Sequence, residues 1–237
     1  MRRFWNALAY YKDLRPGNLK SDRYRHLLLL LFWPVFGLAF MLLERAFPLI
    51  VKALMGRPIA YYEIVSPLDL HIPFCEWFVI PYYFWFVFLA WMLVYGLLFD
   101  REAFCGYMRF VILTYSATAI VYLLFPNMQS LRPGALTGDG VLLEVVRRLY
   151  AFDTNTNVCP SIHVLGALAV CFSGLRSKGL AHVGWRLFLI LSTLLIILST
   201  VFLKQHSVID VSAALLLSAV AYPFAYLLPR KREEAET

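Results

Sequence analysis

Apolar residues run along this chain in blocks long enough to cross a bilayer, and short charged stretches separate the blocks. A spanning helix needs about 20 mainly apolar residues. Residues 27–43, 77–99, 107–125, 161–175, 185–203 and 208–228 meet or approach that length. The fourth block is short and is expected to borrow residues at its ends. Residues 185–228 are apolar for too long to be one span, and Lys204–Gln205–His206–Ser207 interrupts them. A tight helical hairpin is expected there, although no Gly or Pro marks the turn. Residues 48–76, with Pro58, Pro67 and Pro73, read as a re-entrant or interfacial stretch and as a candidate lining for a lateral opening to lipid. Non-helical backbone at membrane depth is tolerated only where protein or trapped water satisfies it. The pattern predicts an all-α fold, a polytopic membrane helix bundle of about six transmembrane helices. It places the membrane domain at 27–229, between a basic segment at 1–26 and a charged tail at 230–237. No early apolar core with a small-residue cleavage site precedes the first block, so that block is expected to remain as an anchor.

Composition excludes the soluble alternative. The chain is 61% hydrophobic and 16% charged, with mean hydropathy +0.67, whereas a soluble domain carries about 25% charged residues. The net charge of +7 would suit nucleic acid if it were clustered on one surface. Here the basic residues lie in blocks between apolar runs, which is a topology signal. With the N-terminus inside, the inner segments hold the N-terminal basics, Arg101, Arg109, Arg176, Lys178, Arg186, Arg230, Lys231 and Arg232. The outer ones hold Arg45, Lys52, Arg57, Arg132, Arg147, Arg148 and Lys204, a bias of roughly two to one for cytoplasmic termini. No nucleic-acid partner is expected. Cys75, Cys105, Cys159 and Cys171 lack metal-type spacing and read as small apolar side chains, although Cys75 and Cys159 share the outer side and could pair.

Three polar clusters fall on that same outer side. They are Ser130–Leu131–Arg132–Pro133, Asn157–Val158–Cys159–Pro160–Ser161–Ile162–His163, and Lys204–Gln205–His206 with Asp210. Ionisable groups in or beside membrane spans are costly and tend to mark function. His206 and Asp210 are four residues apart and share a helix face. A carboxylate there can hold the proton of one imidazole nitrogen and leave the other as a nucleophile. His163 arrives from a different helix as a second acid–base group. Arg132 and Lys204 add positive charge, and Ser161 with the first N–H groups of its helix adds anion donors. The set describes phosphoryl transfer better than acyl transfer. Two His and one Asp could also bind a metal, but the two cations oppose that, so no metal or other cofactor is expected.

In order and spacing these residues resemble the type-2 phosphatidic acid phosphatase superfamily. Its pattern is Lys-x6-Arg-Pro, then Pro-Ser-Gly-His, then Ser-Arg-x5-His-x3-Asp. Arg132–Pro133 matches the end of the first motif and Phe125 stands where its Lys would be. Pro160–Ser161–Ile162–His163 matches the second, with Ile162 in place of Gly. Ser199–Thr200, then His206 and Asp210, match the third, with Thr200 in place of Arg and Lys204 one turn further on. Residues 152–163 and 199–206 are similar to a bacterial sub-branch related to inositol phosphorylceramide synthases, which transfer a phospho-headgroup. The resemblance implies a metal-independent enzyme in which His206 attacks phosphorus, Asp210 orients it, and His163 protonates the leaving oxygen. Arg132, Ser161, Ile162 and Lys204 would surround the phosphoryl oxygens, with Asp153, Asn157 and Thr200 as secondary candidates. The implied substrate is a membrane lipid, phosphatidic acid-like or polyprenyl diphosphate-like, met at the outer face of the cytoplasmic membrane. Transfer of a headgroup to an alcohol, and a catalytically silent protein binding anionic lipid, are the alternatives.

Overall fold

The computed structural model describes Trp5 and residues 8–227; the charged tail at 230–237 and the first residues of the basic segment lie outside the described residues. The chain folds as an all-α helical bundle. Its spans are α1 (Arg25–Met55), α2 (Val79–Phe99, entered through a turn at Glu76–Phe78), α3 (Arg101–Leu124), α5 (Ile162–Arg176), α6 (Val183–Phe202) and α7 (Val208–Tyr226). A surface helix, α4 (Val141–Phe152), lies between α3 and α5. Two short strands, β1 (Tyr62–Glu63) and β2 (Asn127–Met128), pair in parallel.

Five of these helices are long and apolar enough to cross a membrane, and α5, at 15 residues, is the shorter sixth. At 1.5 Å per residue α5 is only about 22 Å long, less than a bilayer core of about 30 Å. It tolerates this because it is the centre of the bundle, packed against α2, α3, α6 and α7. Eleven of its residues, from His163 to Gly174, are buried. A helix sealed on all sides by protein need not match the lipid, and its N-terminus can begin below the membrane surface.

The first span departs from the expected 27–43. The helix runs on to Met55 through a wider π-helical turn at Leu42–Ala46, so part of the 48–76 stretch is helical. The remainder is a loop closed by Pro67–Leu70, where Ser66 and Asp69 cap each other. Asp100 alone links α2 to α3; its carboxylate accepts Ala103 N–H at 3.0 Å and the Ser177 hydroxyl at 2.6 Å. So tight a hairpin requires Gly96, where a Cβ would stand 2.8 Å from Phe104 Cβ and 2.9 Å from its Cα.

The N-terminal segment packs at this end, with Tyr11 Oη donating to Leu97 O at 2.7 Å and Arg101 to Asp22 O at 2.7 Å. Arg176 reaches Tyr226 O at 3.3 Å there too. The described N- and C-terminal portions therefore share one end of the bundle. The polar clusters occupy the other.

Candidate active site

The end of α3, the start of α5 and the turn between α6 and α7 converge at the far end of the bundle. The α6–α7 turn reverses at Lys204, whose φ of +53° lies in the left-handed region. A non-glycine residue there costs about 1–2 kcal/mol. Lys204 Nζ offsets that cost by donating to Asp69 O at 2.7 Å and Ile72 O at 2.5 Å. This accounts for a hairpin without Gly or Pro. The structure places the Lys204 ammonium, expected near the phosphoryl oxygens, on two carbonyls of the 66–72 loop, which it clamps to the turn. Burial draws its pKa down, against the opposing pull of Asp69. Thr200, a secondary candidate, contributes its backbone oxygen, which accepts Gln205 N–H at 2.9 Å and His206 N–H at 3.0 Å.

His206 and His163 meet as expected. His206 Nδ1 lies 3.2 Å from Asp210 Oδ2, and His206 Nε2 lies 3.4 Å from His163 Nδ1. Asp210 also accepts Ser207 N–H at 2.9 Å, as the cap of α7. A carboxylate can only accept, so Nδ1 carries the proton and Nε2 is left with its lone pair. The His163 ring rests against Tyr82 and Trp85, centroids 4.6 and 4.5 Å away. Gly166, one turn along α5, leaves room for Trp85, whose Nε1 would lie 2.9 Å from a Cβ there.

The imidazoles open into a cavity of about 300 Å³ with a largely apolar lining. Phe40, Tyr82, Tyr83, Trp85, Phe86 and Phe152 contribute most of its aromatic surface; Asp153, Thr154, Thr156, Asn157 and Gln205 form the polar part of its wall. Phe86 and Phe152, two of its lining residues, are exposed. Ile162 lines the cavity too, while its carbonyl accepts the Tyr115 hydroxyl. None of residues 48–76 lines it, so the expected lateral opening is not formed by that stretch.

Arg132 stands behind the polar wall. Its guanidinium donates to Tyr150 O at 3.3 Å, Asp153 O at 3.0 Å, Thr154 O at 2.9 Å and the Gln205 side-chain oxygen, and lies over the Tyr150 ring at 4.7 Å. It is thus engaged in holding the 150–154 segment to the histidine turn. Burial lowers the Arg132 pKa and raises that of Asp153, and at both groups it outweighs their mutual attraction. Ser161 caps α5, its Oγ accepting Val164 N–H at 3.5 Å, and is fully buried. Cys159 is no rival nucleophile, since burial first and Asp210 second push its thiol up to about 12. All four cysteines are free, so Cys75 and Cys159 do not pair.

Several residues that shape the site were not singled out from sequence. Glu44, in the π-helical turn of α1, accepts from Asn157 Nδ2 at 2.5 Å, Thr156 Oγ1 at 3.0 Å and the Thr154 hydroxyl. It had a legible signal, an acid inside an apolar run that resumes after it. Asn127 accepts Val158 and Cys159 N–H at 2.9 and 2.8 Å. Gln129 donates to Lys204 O at 2.9 Å. Asn127 on β2 and Gln129 just after it hold the loops that carry the two histidines. Asp69 accepts Ser207 Oγ at 2.6 Å and Val208 N–H at 2.8 Å.

Among the described residues no cluster of three or more His, Cys, Asp or Glu side chains is arranged to hold a metal ion. Comparison with protein-family models, curated proteins and solved structures returned no match.

Proposed function

We propose that this chain is a membrane-embedded, metal-independent phosphoryl-transfer enzyme acting on a lipid phosphate, in the manner of the type-2 phosphatidic acid phosphatases. The observation that carries the reading is the buried Asp210–His206–His163 chain facing a largely apolar cavity. His206 Nε2 attacks phosphorus and a P–N bond forms. The P–O bond to the lipid or its headgroup breaks, and His163, acting as the imidazolium protonated on both ring nitrogens, gives one proton to the departing oxygen and becomes neutral. His163 then removes a proton from the incoming hydroxyl, which takes the phosphoryl group from His206. Phosphorus cannot sit between nitrogens 3.4 Å apart, so loading must part the two rings. Contacts of this kind commonly rearrange between free and loaded enzyme.

Water as the acceptor makes the protein a lipid phosphatase, the first reading. An alcohol acceptor makes it a headgroup transferase. The hydroxyl-bearing wall of Thr154 and Thr156, beside Asn157, favours keeping that second reading. The basic residues at the opposite end of the bundle support a site on the outer face of the cytoplasmic membrane.

The test is phosphate release by detergent-purified protein with excess chelator, from phosphatidic acid and a polyprenyl diphosphate, for wild type and His206→Ala. Release that survives chelator and disappears in the variant is expected. Release in wild type only when a labelled alcohol is supplied would select the transferase. Turnover that persists in His206→Ala would end the proposal.

A further inference from the structure

Gln205 lines the cavity beside the nucleophile and is only 3% exposed. An amide has an acceptor end and a donor end, and its partners decide which way it faces. Arg132 has donors only, so its bond to Gln205 Oε1 fixes the acceptor end on the arginine side. Nε2 is left on the other side, buried and without a hydrogen-bond partner. Unpaired buried N–H groups are rare in native folds and call for an explanation.

None of Arg132, Ser161 and Lys204, the charged and hydroxyl groups expected to grip phosphate, lines the cavity. Lys204 Nζ holds two carbonyls. The two terminal nitrogens of Arg132 hold three carbonyls and Gln205 itself, and its Nε, buried and without a partner, belongs to a residue outside the cavity lining. Ser161 Oγ caps α5. Among the described residues no Lys or Arg lines the cavity.

We infer that Gln205 is the residue that binds the phosphoryl group, donating from Nε2 to a non-bridging oxygen of the phosphorus attached to His206, and that Arg132 is a positioning residue acting through it. The inference rests on the phosphohistidine reading. Gln205 directly precedes His206, and its backbone is pinned by Thr200 O on its N–H and by Gln129 Nε2 on its carbonyl. An oxygen carried on His206 therefore meets a donor whose position and orientation are both fixed beforehand. Negative charge on the non-bridging oxygens is drawn towards such a donor as the P–N bond forms, and preorganised donors contribute most at that stage. The effect of Gln205 should consequently fall on kcat more than on KM.

Gln205→Met removes both donors and the acceptor for Arg132. Gln205→Glu keeps an acceptor for Arg132 and replaces the donors with a carboxylate oxygen. Both should lower kcat by about 10²–10³, the range for loss of one oxyanion donor, with KM within a few fold of wild type. A second readout needs no substrate: the rise in melting temperature produced by orthovanadate, which adopts the five-coordinate geometry of phosphoryl transfer. That rise should be present in wild type and absent from both variants and from His206→Ala. A kcat for Gln205→Met or, if that variant does not fold, Gln205→Glu within threefold of wild type would overturn the assignment. So would a vanadate response lost in His206→Ala but kept in either Gln205 variant, and the phosphohistidine reading would then stand. A response kept in His206→Ala, or absent from wild type, would overturn both.

Discussion

Asp69→Asn tests whether the 66–72 loop is coupled to the turn that carries His206. In wild type the Asp69 carboxylate is 2% exposed and accepts three bonds. Oδ2 takes Ser66 N–H at 2.7 Å and Ser207 Oγ at 2.6 Å, and Oδ1 takes Val208 N–H at 2.8 Å. An asparagine of the same shape has one oxygen. With that oxygen towards Ser66 and Ser207, the amide N–H₂ confronts Val208 N–H; turned over, it confronts Ser66 N–H. Either orientation leaves one buried backbone donor unpaired, at about 1–3 kcal/mol, and converts the surviving bonds from charged to neutral at about 1 kcal/mol each. The carboxylate's own desolvation is relieved, which offsets part of the loss. The net cost is about 2–4 kcal/mol, or about 5–10 °C in Tm for a chain of this size. The assay is thermal unfolding in detergent followed by intrinsic fluorescence, with phosphoryl turnover measured at a temperature where both proteins are folded. Turnover should fall at least tenfold, since Ser207 and Val208 adjoin His206 and a displacement of about 1 Å at a reacting group can cost about 10². A Tm within 2 °C of wild type would refute the accounting, and full turnover would refute the coupling of loop to site.

Gly96→Ala should destabilise strongly, at the upper end of the roughly 1–3 kcal/mol range for overpacking, because its Cβ meets Phe104 backbone and Asp100 leaves the hairpin no slack. Gly37→Ala, with nothing within 4 Å, is the control and should be neutral or mildly stabilising; equal Tm shifts for the two would contradict the hairpin argument. Asp153→Asn should change the pH dependence of stability. Burial holds the Asp153 pKa above its ordinary 3.8, so the wild type favours the protonated form and loses stability as pH rises through the raised value. The asparagine can still accept from Tyr82 and does not ionise. Its Tm should exceed wild type at pH 8, with the gap closing as pH falls towards 4; a gap independent of pH would reject this origin.

The spans were legible because lipid imposes a length and a composition on each helix. All six expected blocks are helical and in the expected order, five of them long enough to cross a membrane, and His163, His206 and Asp210 meet, since an i, i+4 pair on a helix is a local fact and the clusters shared one side. The partners of Lys204 were not legible. Its side chain is buried against carbonyls of Asp69 and Ile72, more than 130 residues earlier, and no local pattern encodes that meeting. Glu44 was passed over because the first apolar block was read as ending at 43. A wider π-helical turn carries the helix past the acid and turns its carboxylate onto the 154–157 loop. Asp69 lay in a proline-rich stretch whose strongest sequence feature was irregularity.

The fate of the two cations follows from where helices end. The C-terminal turn of a helix leaves carbonyls without internal partners, and at membrane depth water is scarce to receive them. At the end of α4, Arg132 takes Tyr150 O and Asp153 O and Arg45 takes Phe152 O at 3.0 Å. After the turn at Pro67–Leu70, Lys204 takes Asp69 O and Ile72 O. Each is a cation at a negative end of backbone, where such charge stabilises most. A phosphate needs N–H donors aimed inward, and a lysine or arginine already spent on carbonyls supplies few. The amide of Gln205 separates the two demands. Its oxygen satisfies the arginine that closes α4, while its nitrogen remains for the anion. That division predicts an asymmetry between Arg132→Lys and Gln205→Met. Lysine cannot serve four acceptors in a plane, so Arg132→Lys should lower both Tm and kcat, whereas Gln205→Met should lower kcat far more than its Tm accounts for. Equal loss of kcat and Tm in both variants would mean that Gln205 is part of the arginine's clamp and nothing more.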